Sequence, residues 1–208
     1  MIVLVATPCR MSAKPAFVAR SQALYDALTY ADKERVVLRN AIGVQGLGKY
    51  AANAIARNTL IDFYLKPHHT HVLWVDVDIV DYPSDLIERL LSTGGRYGAA
   101  APFVLIEGTD RFYDYGGFVR NGACFSPTPP YTDAEGLAAG LMEMDSVGSV
   151  YLMPAYYYTA GCRYAPDGDE VEHRSLFRQA RDSGCRVFAD SHITAYHANL
   201  PLWGEEWH

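Results

Sequence analysis

Hydrophobic residues along this chain recur in two rhythms. Short apolar runs alternate with longer amphipathic stretches. Ile2 to Ala6 reads as a first strand, with Thr7-Pro8-Cys9-Arg10 leaving it as a loop. A helix is predicted over Ala16 to Tyr30, with Phe17, Leu24 and Leu28 on one face. Arg35 to Leu38 reads as a second strand, and Gly43, Gly46 and Gly48 mark a loop after it. The next helix runs from about Tyr50 to Leu65 and stops before Lys66-Pro67. His71 to Asp76 is the third strand. Pro83 suits the first turn of a helix carrying Leu86, Ile87, Leu90 and Leu91, which ends at Gly94-Gly95. Tyr97 to Val104 is a fourth strand.

Strand and helix therefore alternate through the first half, which predicts an α/β domain with a mostly parallel central sheet flanked by helices. The second half is less regular. Arg111 to Arg120 is aromatic and glycine-rich, and Asn121 to Pro130 reads as a loop. Glu143 to Leu152 returns to the sheet, and a helix spans Asp169 to Ser183, closed by Gly184. Arg186 to Ala189 is a short strand, followed by a loop holding His192 and His197. One domain over 1–208 is expected, with a ligand-binding half at 1–104 and a second half at 105–208.

The run His71-Val72-Leu73-Trp74-Val75-Asp76-Val77-Asp78 breaks the pattern in an informative way. A buried strand that ends in two carboxylates carries a desolvation cost unless they are paired or bind something. Residues i and i+2 of a strand share a side. Asp76 and Asp78 together offer hard oxygen donors suited to Mg²⁺ or Mn²⁺ with phosphate. In a mostly parallel sheet this is the carboxyl edge where ligands bind, and the Thr7 to Arg10 loop lies on the same edge.

Composition narrows the class. The chain has 208 residues and a net charge of −6, which argues against a broad nucleic-acid surface. Its four cysteines include no C-x-x-C pair, so reduced thiols in a cytoplasmic protein are expected. No apolar run reaches the ~20 residues of a membrane span, and the N-terminal strand lacks the basic region of a secretion signal. His68-His69-Thr70-His71 has the look of a metal cluster, yet it reads as a solvated loop entering the third strand.

Several motifs fall in one order: Ala56-Arg57-Asn58 in the second helix, V-L-W-V-D-V-D-I-V from Val72 to Val80, then Tyr82-Pro83-Ser84-Asp85-Leu86-Ile87. This set resembles metal-dependent glycosyltransferases of the GT-A (Rossmann-like) fold. It is similar to yeast Golgi α-mannosyltransferases of the mannan-polymerase type and to small glycosyltransferases of bacteriophages. Met144-Asp145-Ser146-Val147-Gly148-Ser149 resembles that family's D-G-V-G-G segment, with Ser146 and Ser149 standing where the family carries glycine. Glu172-His173 resembles its acidic acceptor-facing helix end, with His173 in place of Asp. Asp190 to His197 resembles the closing segment whose last His ligates the metal.

The resemblance implies a nucleoside-diphosphate sugar, UDP- or GDP-linked, held by Thr7, Pro8, Arg57, Asp76 and Asp78. It implies Mn²⁺ (or Mg²⁺) on Asp78 and His197, with Asp76 bound directly, through water or to the ribose. Glu172 and Asp145 would act at the acceptor and sugar, in a hexosyl transfer that retains configuration. Tyr113, Tyr115 and Tyr156 to Tyr158 supply faces on which sugars or bases stack. A glycan, a protein side chain and a hydroxymethylated DNA base are all open as acceptors. The rival readings are a nucleotidyltransferase, which would carry a glycine-rich loop after the first strand, and a non-catalytic nucleotide-sugar-binding module.

Overall fold

A computed structural model of the chain describes residues 1–10, 13–40, 48–126, 140–165 and 171–199. Its centre is an eight-stranded sheet built from β1 (Ile2–Arg10), β2 (Lys33–Asn40), β3 (His69–Val75), β4 (Ile79–Asp81), β5 (Ala99–Ile106), β8 (Leu141–Glu143), β9 (Val150–Pro154) and β10 (Val187–His197). The strand order is β2-β1-β3-β9-β5-β10-β4, with β8 also paired to β10. The short strands β6 (Val119–Arg120) and β7 (Ala123–Cys124) form a separate hairpin.

β1, β2, β3, β5 and β10 run in one direction, while β9, β4 and β8 run against them. The sheet is thus mostly parallel, as the alternation of elements predicts. The second-half strand β9 inserts antiparallel between β3 and β5, which separates the two parallel blocks.

The period of two sorts the core onto two faces. Val3, Val5, Leu73 and Val75 face a layer containing α1 (Pro15–Ala27) and α3 (Leu86–Leu90). Leu4, Ala6, Val72 and Trp74 face α2 (Lys49–Tyr64), α4 (Ala155–Thr159) and α5 (Glu172–Asp182). On α2 the buried residues Ala54, Arg57, Leu60 and Ile61 form one helical stripe, and the guanidinium among them is the anomaly. Each fully buried aliphatic side chain contributes about 1.5–3 kcal/mol of transfer free energy, so a charge in that stripe has to be balanced locally.

Four expectations are corrected. β1 does not end at Ala6. It pairs with β2 through Thr7↔Val37, Pro8↔Leu38 and Arg10↔Asn40, while its pairing with β3 stops at Ala6↔Trp74. Beyond Ala6 one side of β1 has no strand beside it among the described residues, so proline is tolerated there. β10 is a long strand reaching His197, so that histidine closes a strand rather than sitting in a loop. The first helix ends at Ala27, and Leu28 packs just beyond it. Asn121-Gly122, expected to open a loop, turns the β6–β7 hairpin with both residues at positive φ, 52° and 78°. Gly43, Gly46 and the expected start of the last helix at Asp169 lie outside the described residues.

Candidate active site

β3 delivers Asp76 on the same face as Trp74, towards α2. There Arg57 Nη2 lies 2.6 Å from Asp76 Oδ1, and Arg57 Nε donates to Glu172 Oε1 at 3.4 Å. Arg57 is 2 % exposed and Glu172 2 %, whereas the Asp76 side chain keeps 25 % exposure. The guanidinium sits over the Trp74 ring (5.0 Å to its centre) and the Tyr164 ring (5.7 Å). Trp74 is itself fixed by donating to the Tyr158 hydroxyl at 2.8 Å. Burial pushes the Arg57 pKa down, but Asp76 and Glu172 among its neighbours more than offset this and hold it charged. Burial likewise pushes the Asp76 carboxyl up, with Arg57 pulling against it. Arg57 is thus a fixed buried cation behind the acidic turn.

Asp78 belongs to a second group. The β10–β4 ladder sets His197 opposite Ile79, and Ala198 N–H donates to the Asp78 carbonyl at 2.9 Å. This register brings His197 Nε2 to 3.2 Å from Asp78 Oδ2. Tyr113 stacks on the imidazole at 3.5 Å and 12°. His197 Nδ1 lies 2.8 Å from the Ala198 carbonyl, which can only accept. A proton therefore belongs on Nδ1. Burial pushes the His197 pKa down, but the Asp78 carboxylate facing Nε2 more than offsets this and favours a second proton there. An Nδ1–H held by a carbonyl is the second shell of a metal-ligating histidine, and an ion between Nε2 and Asp78 would take the place of that second proton. The pair fits a divalent cation. Asp76 stays with Arg57, and among the described residues Asp76, Asp78 and His197 do not form a set of three mutually close ligand atoms.

Such a set does occur at Glu34, His68 and His69, whose ligand atoms lie within 4.8 Å of one another. Glu34 faces His68 Nε2 at 3.0 Å and His69 Nε2 at 3.1 Å. Here the tautomer is reversed. Lys66 N–H donates to His69 Nδ1 at 2.9 Å, so the proton sits on Nε2 and points at Glu34. This is a hydrogen-bonded cluster, and its one buried imidazole has no lone pair free for an ion.

The remaining expected residues divide. Thr7 is buried and Pro8 partly exposed on the overhang of β1. Glu172 joins the Arg57 cluster and leaves Oε2 buried without a partner among the described residues. Asp145 does not join it. Its Oδ1 pairs with Arg181 at 2.7 Å and its Oδ2 accepts from Gly122 N–H at 2.7 Å, which ties the end of α5 to the β6–β7 turn. Of the tyrosines, Tyr158 is fully buried in the core, while Tyr156 is 67 % exposed and Tyr115 47 %.

One residue escaped the sequence reading. Asp114 is buried, accepts a hydrogen bond from the Ser149 hydroxyl on Oδ1, and leaves Oδ2 without a partner among the described residues. Burial pushes its carboxyl up to about 7, against the Ser149 bond. Gly148 lies against it, since a Cβ there would come 3.4 Å from Asp114 Oδ1, and Gly117 packs on Gly148, where its own Cβ would lie 3.1 Å from the Gly148 Cα. The available signal was an aspartate inside an aromatic stretch followed directly by Gly116-Gly117.

A mostly parallel central sheet flanked by helices, in this strand order, makes this a GT-A-like fold, and solved structures agree. A197 from STIV superposes with a TM-score of 0.61 at 15 % identity, covering 95 % of this chain and 85 % of that one. S. aureus TarS 1–349 gives 0.62 at 10 % identity, over 95 % of this chain and 60 % of that one. TarS 1–349 in complex with UDP-GlcNAc gives 0.58 at 10 % identity, over 99 % and 60 %. In sequence, the Anp1 family model matches residues 26–115. The chain is 26 % identical to the vanadate resistance protein of Candida albicans, over 78 % of this chain and 43 % of that protein. It is 25 % identical to the mannan polymerase I complex VAN1 subunit of Saccharomyces cerevisiae, over 78 % and 36 %. The chain thus spans less than half the length of both relatives. The sequence comparisons bear out the resemblance to mannan-polymerase-type proteins read from the motifs. No helix among the described residues is long and apolar enough to cross a membrane.

Proposed function

We propose that this chain is a metal-dependent glycosyltransferase that moves a sugar from a nucleoside-diphosphate sugar to an acceptor hydroxyl. The observation that carries the reading is the Asp78–His197 pair, with an imidazole nitrogen 3.2 Å from a carboxylate oxygen at the carboxyl edge of the sheet and the other ring nitrogen held by a carbonyl. Mn²⁺ suits a mixed nitrogen and oxygen pair better than Mg²⁺ does. A divalent ion held there supplies Lewis-acid stabilisation of the departing diphosphate.

The chain's own residues do the rest. Arg57 holds Asp76 from behind and keeps a positive charge beneath the site. Asp76, still one-quarter exposed, is placed for the ribose or for a metal-bound water. Thr7 and Pro8, on the overhang of β1, line the nucleotide side. Glu172 orients the acceptor through Oε2. We assign Asp145 to scaffolding, because both of its oxygens are engaged elsewhere. Hexosyl transfer with retention is carried over from the mannosyltransferase resemblance. TarS was crystallised with UDP-GlcNAc and with UDP, which supports a nucleotide-sugar donor without choosing between UDP and GDP. β1 continues as a strand to Arg10, where a nucleotidyltransferase would place its glycine-rich loop.

The test is a thermal-shift screen of UDP- and GDP-sugars with and without Mn²⁺, followed by donor hydrolysis. A donor bound at a hundred times its Kd stabilises the native state by about 2.7 kcal/mol. A Mn²⁺-dependent shift and turnover, both lost in Asp78→Ala, are expected. Absence of any shift overturns the donor site. A shift without turnover leaves a binding module.

A further inference from the structure

Ser149 occupies a position that its backbone suits poorly. Its φ is 49°, a left-handed conformation that L side chains rarely adopt. It lies directly before β9, and its carbonyl accepts Asp76 N–H at 3.2 Å. Its hydroxyl donates to Asp114 Oδ1. One strained residue thus joins the acidic turn to a buried carboxylate on a different segment. Glycine would fit this backbone without strain, as the D-G-V-G-G resemblance implies at this position, but would remove the hydroxyl. Asp114 Oδ2, on the other side of the same carboxylate, is buried with no partner among the described residues. Strain retained at such a place marks a functional constraint rather than a packing need.

We propose that Ser149 is a positioning residue: its hydroxyl fixes Asp114 Oδ1 so that Oδ2 faces a substrate hydroxyl. This rests on the glycosyl-transfer reading for the identity of the substrate, but not for the clamp itself. The serine exchanges an unstrained backbone for a fixed carboxylate orientation.

The experiment compares Ser149→Gly with Ser149→Ala. Both lose the hydroxyl, and only alanine keeps the strain. Ser149→Gly is expected to melt about 2–4 °C above Ser149→Ala. In both, the Asp114 carboxyl, followed by carbon NMR without metal or donor, should titrate at higher pH than in the wild type. A hydroxyl donating to the ionised form favours that form, and its loss disfavours it. Donor turnover with Mn²⁺ should fall about 10-fold in both variants, and the acidic limb of its pH profile should move up with the Asp114 midpoint. An unchanged midpoint overturns the clamp. Full turnover in Ser149→Gly overturns its role. A wild-type protein that turns over no donor overturns the glycosyl-transfer reading instead, and the titration still decides the clamp.

Discussion

Arg57 and Asp76 meet at 2.6 Å, and only the aspartate of the pair reaches solvent. The arginine anchors the acidic turn from within the core, with Glu172 as its second counter-charge. Removing one partner of a buried ion pair leaves an uncompensated charge and costs about 3–5 kcal/mol. Arg57→Ala should lose stability on that scale in chemical denaturation. Arg57→Met, which keeps the bulk, should recover little of it, because Asp76 and Glu172 remain beside each other without a cation.

The two histidine clusters make opposite predictions for metal. Asp78→Asn and His197→Gln should each weaken Mn²⁺ binding more than about 10-fold, measured by calorimetry or by paramagnetic resonance. His68→Ala should leave it unchanged, since His69 directs its proton at Glu34.

Asp114 sets a pH dependence of stability. Its folded carboxyl is pushed up to about 7, from an ordinary value near 4. Between those values the native state holds more protons than the unfolded chain, so stability falls as pH rises from about 4 to 7. The full effect is on the order of 4 kcal/mol as an upper bound. Asp114→Asn should flatten the dependence in this window and be relatively more stable at pH 8 than at pH 4. An unchanged slope in urea titrations would exclude the assignment.

Glu172→Gln separates a base from a counter-ion. A positioned general base contributes about 10²–10⁴-fold to rate. With retention, the leaving phosphate takes the acceptor proton, so the variant should lose less than about 10²-fold in kcat and keep its pH profile. Its melting temperature should drop, because Arg57 loses one of its two carboxylates.

Much of the fold was legible because the first half is locally consistent. Val72 to Val75 is continuous and apolar, as a strand covered on both faces must be. The placement of β9 was not legible, because an antiparallel insertion between β3 and β5 is decided by tertiary pairing over a long sequence separation. Asp76 and Asp78 stood out as carboxylates at a strand end, whereas His197 stood out only through the resemblance, in what reads as a loop. Asp114 did not, since a single aspartate in a glycine-rich turn looks like any surface turn until its burial is known. Asp145 misled for the converse reason. Its motif resembles a sugar-binding segment, while Arg181, 36 positions further along the sequence, claims its carboxylate.

The insertion of β9 also shapes how the chain reaches this state. During synthesis, β3 and its acidic turn emerge long before Val150–Pro154, so one edge of the central strand stays open in the nascent protein. That edge is apolar and unprotected, the kind that recruits foreign strands. Folding of the N-terminal strands therefore waits on Val150–Pro154. Fragments that stop at Ile106 should aggregate rather than persist as a small folded unit.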